Sequence, residues 1–556
     1  MFRRPTCALL ILLLCATVSG GEDTRAAVSE FRKRFVPGMS AYTREKALDE
    51  LAAVKDRKVR KTFQWAFGQT SGEIRHLVLE KDDARAELKR LEKSLDDKLM
   101  RESERARRKG RKPGPVSVPN TLQIQIRNTR EKVERLQRRI DAEHKIREAL
   151  TQAGGAWIDG LSEKDRSVVL TSLEEKGLED KDWTVRAFWI RTLGGTSHPA
   201  ATRLLMGLAN TEKDRRILPV VIDALAAQAG DLAIDDLLAL SNDERWQIRA
   251  TVIAALGRIG SPAAIQPLID WLRKEEGRLR GDLSAALKVL TGQDLGIYPD
   301  RWQEWWDLNR TGFVPPRDWK EPEPEPEPAE DGEPGAEPPP DDPGKEPPQE
   351  APPEPEPAPP PPPAGEDRPS FYGIDILSKR IIFVIDISNS MNQPVKADDA
   401  NRTKVDVAKY ELKNAILGLP DDAAFNIIFY HHEVSQWQKG MVTAKGKDRR
   451  AAVKFVENMI ADGNTNIHDA LKLAFHIVGM GARDKNYELG ADTIFFLSDG
   501  IPNRGEITDP VQILEEVKRW NQLRRVKVHT VGVGADHAAA FMQSLAANSG
   551  GTYVSR

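Results

Sequence analysis

Apolar positions in the first part of the chain follow a seven-residue rhythm. Leu122, Ile126, Thr129, Val133, Leu136 and Ile140 are spaced four, three, four, three and four apart, the spacing of a heptad seam. Ala84, Leu88, Leu91 and Leu95 show the same spacing upstream. Between the two runs lies Arg107 to Pro115, full of helix breakers. This predicts two antiparallel helices folded back as a hairpin with a basic tip. A coiled coil that dimerises between chains is the alternative.

From about Trp157 to Arg310 the period lengthens. Trp183-Thr184-Val185-Arg186-Ala187, followed by Ile190, Leu193 and Gly194, returns 63 positions later as Trp246-Gln247-Ile248-Arg249-Ala250, followed by Ile253, Leu256 and Gly257. Ile217 to Leu225 and Leu287 to Gly292 supply further copies, so Leu193, Leu225, Leu256 and Leu287 step by 31 to 32 residues. Self-similarity at this period means stacked helix pairs, each burying the face its neighbour leaves open. The motif resembles the HEAT-repeat family, which implies an α-solenoid with a concave surface for a protein partner. Trp183 and Trp246 are expected in the inter-repeat core. Trp302, Trp305 and Trp306, at i, i+3 and i+4, are expected to cap the last repeat.

From about Phe371 apolar strands alternate with helices. Arg380 to Asp386, Phe425 to Tyr430, Thr493 to Ser498 and Val526 to Val531 read as buried strands. Lys404 to Leu419, Ala451 to Ile460, Asp469 to Val478, Pro510 to Gln522 and Ala538 to Ala547 read as helices. The alternation predicts a mostly parallel, doubly wound sheet covered on both faces. Ligands bind such sheets outside the carboxyl ends of the strands, at a topological switch point.

Composition adds a spacer and an address. Of the 37 prolines, 23 fall between Pro315 and Pro369, where seventeen acidic residues face four basic ones. Such a segment cannot bury enough apolar surface to fold. Proline and like charge should keep it extended, with a reach of up to about 170 Å. At the N-terminus Arg3 and Arg4 precede the apolar run Ala8 to Ala16, and Val18-Ser19-Gly20-Gly21 follows. This is the pattern of a secretory signal peptide, with a run too short to span a bilayer. Cleavage near Gly20 would remove both cysteines, Cys7 and Cys15, leaving no disulfide or thiolate metal site. Leu12-Leu13-Leu14-Cys15 faintly resembles a lipoprotein box, with Leu14 a poor fit.

A net charge of −3 argues against a polycation that seeks nucleic acid, and 40% hydrophobic with 30% charged residues argues against a polytopic membrane protein. The one basic cluster is Arg105, Arg107, Arg108, Lys109, Arg111 and Lys112 at the hairpin tip. A solvated loop is the preferred reading. Membrane contact through the tip is weaker, and nucleic acid is not expected, because no aromatic residue is interleaved for stacking.

The candidate chemistry lies at strand ends. Asp386, Ser388 and Ser390 follow the first long strand as Asp-Ile-Ser-Asn-Ser. Asp499 follows another as Ser-Asp-Gly. Thr465 sits in the glycine-bearing loop Asp462 to Asn466. Two carboxylates and three hydroxyls form a hard, oxygen-only set suited to Mg²⁺ or Mn²⁺. Serines capping a turn and an ordinary Asp499-Gly500 turn are the plainer alternatives. His431, His432 and His468 lack a third ligand at metal-site spacing.

The Asp-x-Ser-x-Ser run, Thr465 and Asp499 resemble the metal-ion-dependent adhesion site of the von Willebrand factor A family. The resemblance covers about 180 residues to the C-terminus. It implies that Asp386, Ser388 and Ser390 ligate the cation directly or through water, that Thr465 changes coordination between states, and that Asp499 anchors the cation. An Asp or Glu of a protein partner would then complete the coordination shell.

The whole reads as a multidomain chain. A signal peptide (1–20) precedes an all-α half of coiled-coil hairpin (21–155) and HEAT-like α-solenoid (156–312). A Pro/Glu-rich linker (313–369) leads to a C-terminal α/β, Rossmann-like von Willebrand factor A domain (370–556). The expected function is exported adhesion or scaffolding, with the repeats as a second protein-interaction surface. A structural envelope role with a non-bridging metal is the alternative. A Mg-dependent hydrolase is disfavoured because no nucleophile elbow, zinc-binding helix or phosphate loop is present.

Overall fold

The computed structural model describes residues 21–108, 120–228, 230–316, 368–395, 402–479, 490–522, 524–534 and 537–556. The leader (1–20), Lys109, Arg111 and Lys112 of the basic tip, and the spacer from 317 to 367 lie outside the described residues. Among the described residues no helix is long and apolar enough to cross a membrane.

Helices Arg60–Arg108 and Asn120–Gly160 fold back on each other within one chain. Leu77, Ala84, Val133, Leu136 and Ile140 bury one stretch of the seam, and Leu88, Leu122 and Ile126 the next. Each fully buried leucine contributes about 1.5–3 kcal/mol relative to exposure. The helix Asn120–Gly160 runs through the expected boundary at 155/156. Its Leu150, Trp157 and Ile158 belong to the same core as the repeats, a cluster with members from Phe31 to Trp306.

The glycine of the repeated Leu-Gly motif has a packing reason. A Cβ on Gly194 would stand 2.8 Å from Ala224 Cβ, and one on Gly155 would stand 2.6 Å from the Gly195 carbonyl oxygen. Bare backbone there lets successive helices touch. Trp302 and Trp306 are buried, and Trp305, Trp306 and Phe313 pack ring against ring over the last repeat. Trp183 and Trp246 are half-buried against the repeat core. Trp246 also packs on the core of the α/β module, beneath the Arg278 guanidinium at 4.8 Å. It therefore serves the contact between modules as well as the contact between repeats.

In the α/β module, β1 (Ser370–Phe371) and β2 (Ile374–Asp375) form a small hairpin. The main sheet contains β3 (Arg380–Asp386), β4 (Ala424–Tyr430), β5 (Val434–Gln436), β6 (Val442–Thr443), β7 (Thr493–Ser498), β8 (Lys527–Gly532) and β9 (Tyr553–Ser555). Its order is β5-β4-β3-β7-β8-β9, with β6 also paired to β4. The β3–β4, β3–β7, β7–β8 and β8–β9 pairings are parallel; β5 and β6 run antiparallel to β4. Side chains alternate between two cores. Ile381, Phe383 and Ile385 pack under helices Lys404–Gly418 and Gly446–Glu457. Ile382 and Val384 pack under helices Ile467–Gly479, Pro510–Asn521 and Ala539–Ala547. Both faces are buried, which is why these strands read as unbroken apolar runs.

The helical half docks on this module through buried and half-buried charges. Lys81 Nζ is 2.8 Å from Glu516 Oε1, and Arg85 reaches both Glu506 at 3.0 Å and Glu516 at 3.1 Å. Arg525 pairs with Asp223 at 3.0 Å and Lys527 with Asp282 at 2.6 Å. Arg278 donates to the carbonyl oxygens of Asp492 and Arg525.

Candidate metal centre

Strand β3 lies between β4 and β7, so the chain leaves its neighbours toward opposite ends of the sheet. The carboxyl ends of β3 and β7 flank this switch point. Ile385 pairs with Leu497, which brings Asp386 to the level of Ser498. Ser498 Oγ donates to Asp386 Oδ2 at 2.8 Å, and the Ser388 backbone N–H donates to Asp386 Oδ1 at 2.8 Å. Ser388 Oγ and Ser390 Oγ are 3.0 Å apart, and Ser390 Oγ donates to Asp499 Oδ1 at 2.7 Å. A continuous chain of contacts thus joins four of the five sequence-predicted residues.

Thr465 arrives on the third loop. A Cβ built on Gly500 would lie 3.6 Å from its hydroxyl. Its backbone N–H donates to Asn503 Oδ1 at 2.8 Å, and its carbonyl accepts from the backbone N–H groups of Asn503 and Arg504. The loop is tied to the first one as well: the Asn389 N–H donates to the Gly463 carbonyl, and Asn392 Nδ2 to the Ala461 carbonyl. Gly463 has φ +76, and a Cβ there would fall 2.1 Å from His432 Nδ1. Only glycine accepts both the left-handed conformation and the contact.

Asp386, Ser388, Thr465 and Asp499 are buried, Ser390 is half-buried and Asn389 is exposed. The mouth therefore opens on the serine side. Burial pushes the Asp386 carboxyl up to about 7, and the negative charge of Asp499 adds to it; the hydrogen bonds from Ser388 and Ser498 work in the other direction. Two carboxylates lined by hydroxyls repel each other here, and the one ammonium beside them, that of Lys404, offsets only one of the two charges. They fit a hard dication, which would be held by Asp386, Ser388, Ser390, Thr465 and Asp499 and would supply Lewis acidity toward an incoming oxygen.

Two participants escaped the sequence reading. Ser498 is the last residue of β7 and looks like any strand serine. Lys404 is 4% exposed, with its ammonium 3.0 Å from Asp499 Oδ2 and 3.3 Å from Gln393 Oε1. It opens the helix Lys404–Gly418 behind the capping box of Thr403 and Asp406. Nothing in the periodicity separates it from a surface lysine.

His468 sits on the first turn of its helix and is fully buried. Its Nδ1 is 2.9 Å from Asp469 and its Nε2 3.5 Å from Glu516. His468, Asp469 and Glu506 bring potential ligand atoms within 4.8 Å of one another. Arg85 and Lys472 take up Glu506, however, at 3.0 and 2.5 Å. Cationic side chains already compensate this cluster, which makes it an ion-pair network. His431 and His432 stack on each other at 4.1 Å.

Comparison with known proteins agrees with both resemblances. Residues 379–555 match the von Willebrand factor type A domain and are such a domain. Residues 172–245 and 220–288 match HEAT repeats. Over 180 residues the chain is 29% identical to inter-alpha-trypsin inhibitor heavy chain H4 of Homo sapiens, covering 32% of this chain and 18% of that protein. Over 183 residues it is 33% identical to inter-alpha-trypsin inhibitor heavy chain H1 of Mesocricetus auratus, with the same coverage. The chain thus spans about a fifth of the length of the curated relatives it matches. Among solved structures, a von Willebrand factor type A protein from Catenulispora acidiphila aligns with a TM-score of 0.27 and 22% identity, covering 32% of this chain and 38% of that one.

Proposed function

We propose that this chain is a cation-dependent binding protein, exported to act in adhesion or as a scaffold. Its von Willebrand factor A domain would hold Mg²⁺ or Mn²⁺ through Asp386, Ser388, Ser390, Thr465 and Asp499, and engage an Asp or Glu side chain of a protein partner. The observation that carries this reading is the contact chain Asp386–Ser388–Ser390–Asp499 at the switch point, with a half-buried serine at its mouth. Hard oxygen donors leave a dication an exchangeable water position, which a carboxylate can take. The export setting rests on the basic and apolar pattern of residues 3–16. The HEAT repeats would offer a second binding surface on faces the α/β domain does not cover.

Binding, rather than turnover, is the activity to test. Calorimetry of the whole chain should show Mg²⁺ uptake that Asp386→Ala abolishes. Affinity capture of partner proteins should stop in EDTA and return with added Mg²⁺. Capture that ignores EDTA, or no cation uptake by a folded chain, would overturn the reading.

A further inference from the structure

We infer that Lys404 is a fixed internal charge of the metal centre, one that makes uptake of the dication and capture of an anionic ligand depend on each other. The inference deepens the cation-bridged reading above and rests on it.

Both oxygens of Asp499 are committed. Oδ1 accepts from Ser390 Oγ at 2.7 Å, and Oδ2 takes the Lys404 ammonium at 3.0 Å. The lysine is held from several directions. Its backbone N–H donates to the Gln393 carbonyl at 2.9 Å, and its ammonium reaches Gln393 Oε1 at 3.3 Å. Its stem lies against Gly534, where a Cβ would come within 2.8 Å of Lys404 Cε and 2.9 Å of Nζ. Gly534 has φ +78, so the backbone conformation and the room for lysine both call for glycine. A side chain fixed in this way, and almost fully buried, keeps its charge near Asp499 with little screening by salt.

The charge count at the centre changes accordingly. Two carboxylates alone would neutralise a dication. With the ammonium beside them, the loaded centre carries one net positive charge. A dication arriving alone is repelled by a buried ammonium. An anion at the open coordination position restores neutrality and holds the cation in place. Metal and anion therefore bind with positive coupling, and each raises the affinity of the other by the same factor. A neutral oxygen donor, such as a hydroxyl or a backbone carbonyl, leaves the excess charge uncompensated. Lys404 thus selects a carboxylate as the ligand.

The test uses the whole chain, Mn²⁺ as the metal, acetate as the carboxylate probe and propionamide as its neutral counterpart. Calorimetry should show that acetate tightens Mn²⁺ binding to the wild type while propionamide does not. Lys404→Met should bind Mn²⁺ more tightly without acetate, by about tenfold or more, and show a smaller gain from acetate than the wild type. Lys404→Gln, which keeps a donor toward Asp499 without the charge, should behave in the same way, and Lys404→Arg should resemble the wild type. Thermal melts establish that each variant is folded. Should the neutral variants fail to fold, equal effects of acetate and propionamide on the wild type still overturn the inference. Equal or weaker Mn²⁺ affinity in folded Lys404→Met and Lys404→Gln removes the role of Lys404 and leaves the metal site standing. Failure of every folded variant, wild type included, to take up Mn²⁺ removes the cation-bridged reading itself.

Discussion

Lys81 and Glu516 lie 435 positions apart in the sequence and meet at 2.8 Å. Lys81 belongs to the hairpin helix Arg60–Arg108, Glu516 to helix Pro510–Asn521 of the von Willebrand factor A domain, and their side chains are only 5% and 6% exposed. Arg85 approaches the same carboxylate at 3.1 Å and His468 Nε2 at 3.5 Å. Burial alone would raise the Glu516 pKa. The hydrogen bond from His468 and the charges of Arg85 and Lys81 override it and hold the group well below the usual carboxylate range. His468 stands three residues after Thr465, so this inter-domain contact lies one helical turn from the candidate metal loop.

Removing one member of a buried ion pair costs about 3–5 kcal/mol, because the partner stays buried and uncompensated. Glu516→Gln removes the one carboxylate that Lys81, Arg85, His468 and Arg519 share and should lie at the upper end of that range. Lys81→Met leaves Glu516 with Arg85, His468 and Arg519 and should cost clearly less. Urea denaturation followed by both circular dichroism and tryptophan fluorescence measures the two costs. Equal costs would show that Glu516 is not the hub of the contact.

The same network sets a pH dependence. The groups facing His468 are Asp469, Glu506 and Glu516, with Lys81, Arg85, Lys472 and Arg519 around them. Burial would lower the His468 pKa, but the hydrogen bonds to Asp469 and Glu516 outweigh it and raise the pKa above 6.5. A raised histidine contributes stability that is fully present below pH 6.5 and lost as pH climbs through the folded value. Asp469, held at about 2, and the depressed Glu516 contribute above their unfolded values of 3.8 and 4.5 and lose that contribution in acid. Docking of the two halves should therefore be strongest between about pH 4.5 and 6.5. Melting temperatures from pH 5 to 8.5 should fall on the alkaline side for the wild type and fall less for His468→Gln. Identical slopes would remove the histidine from the account.

Asp386→Asn should separate metal binding from folding. It removes one of two buried carboxylates that repel each other and leaves Asp499 paired with Lys404. The metal-free variant should melt no lower than the metal-free wild type, while the rise in melting temperature on adding Mg²⁺ disappears. A large loss of metal-free stability would mean that the Asp386 hydrogen bonds to Ser388 and Ser498 outweigh the repulsion.

Gly463→Ala should act on the site through the backbone. It places a Cβ at φ +76 and against His432, costing about 1 kcal/mol from the conformation alone and more from the collision. His432 or the loop carrying Thr465 must then move. Mg²⁺ affinity should drop several-fold while the sheet, followed by circular dichroism, stays intact. Unchanged affinity would show that His432 gives way and the Gly463 conformation does not set the position of Thr465.

How much was legible in the sequence followed from how local each signal was. The heptad spacing of Leu122 to Ile140 and the 31-to-32-residue step of Leu193 to Leu287 predicted helices that the structure contains. The strand Arg380–Asp386 was read to the residue, because a strand buried on both faces has no polar interruption before its terminal carboxylate. The short strands β5, β6 and β9 were missed, since two or three half-buried residues carry no period.

The order of residues along the chain determined which segments would be helix, repeat and strand, and put five oxygen-bearing side chains next to strand ends and loops. That information is local: a period, a cap, a carboxylate where an apolar run stops. Tertiary structure alone decided that Lys404 faces Asp499, that Ser498 supports Asp386, and that the helical half grips the α/β domain through Lys81, Arg85 and Glu516. Those partners lie 95, 112 and more than 400 positions apart. Their pairing depends on sheet order and domain docking, where burial turns an ordinary surface charge into one that must find its counterion.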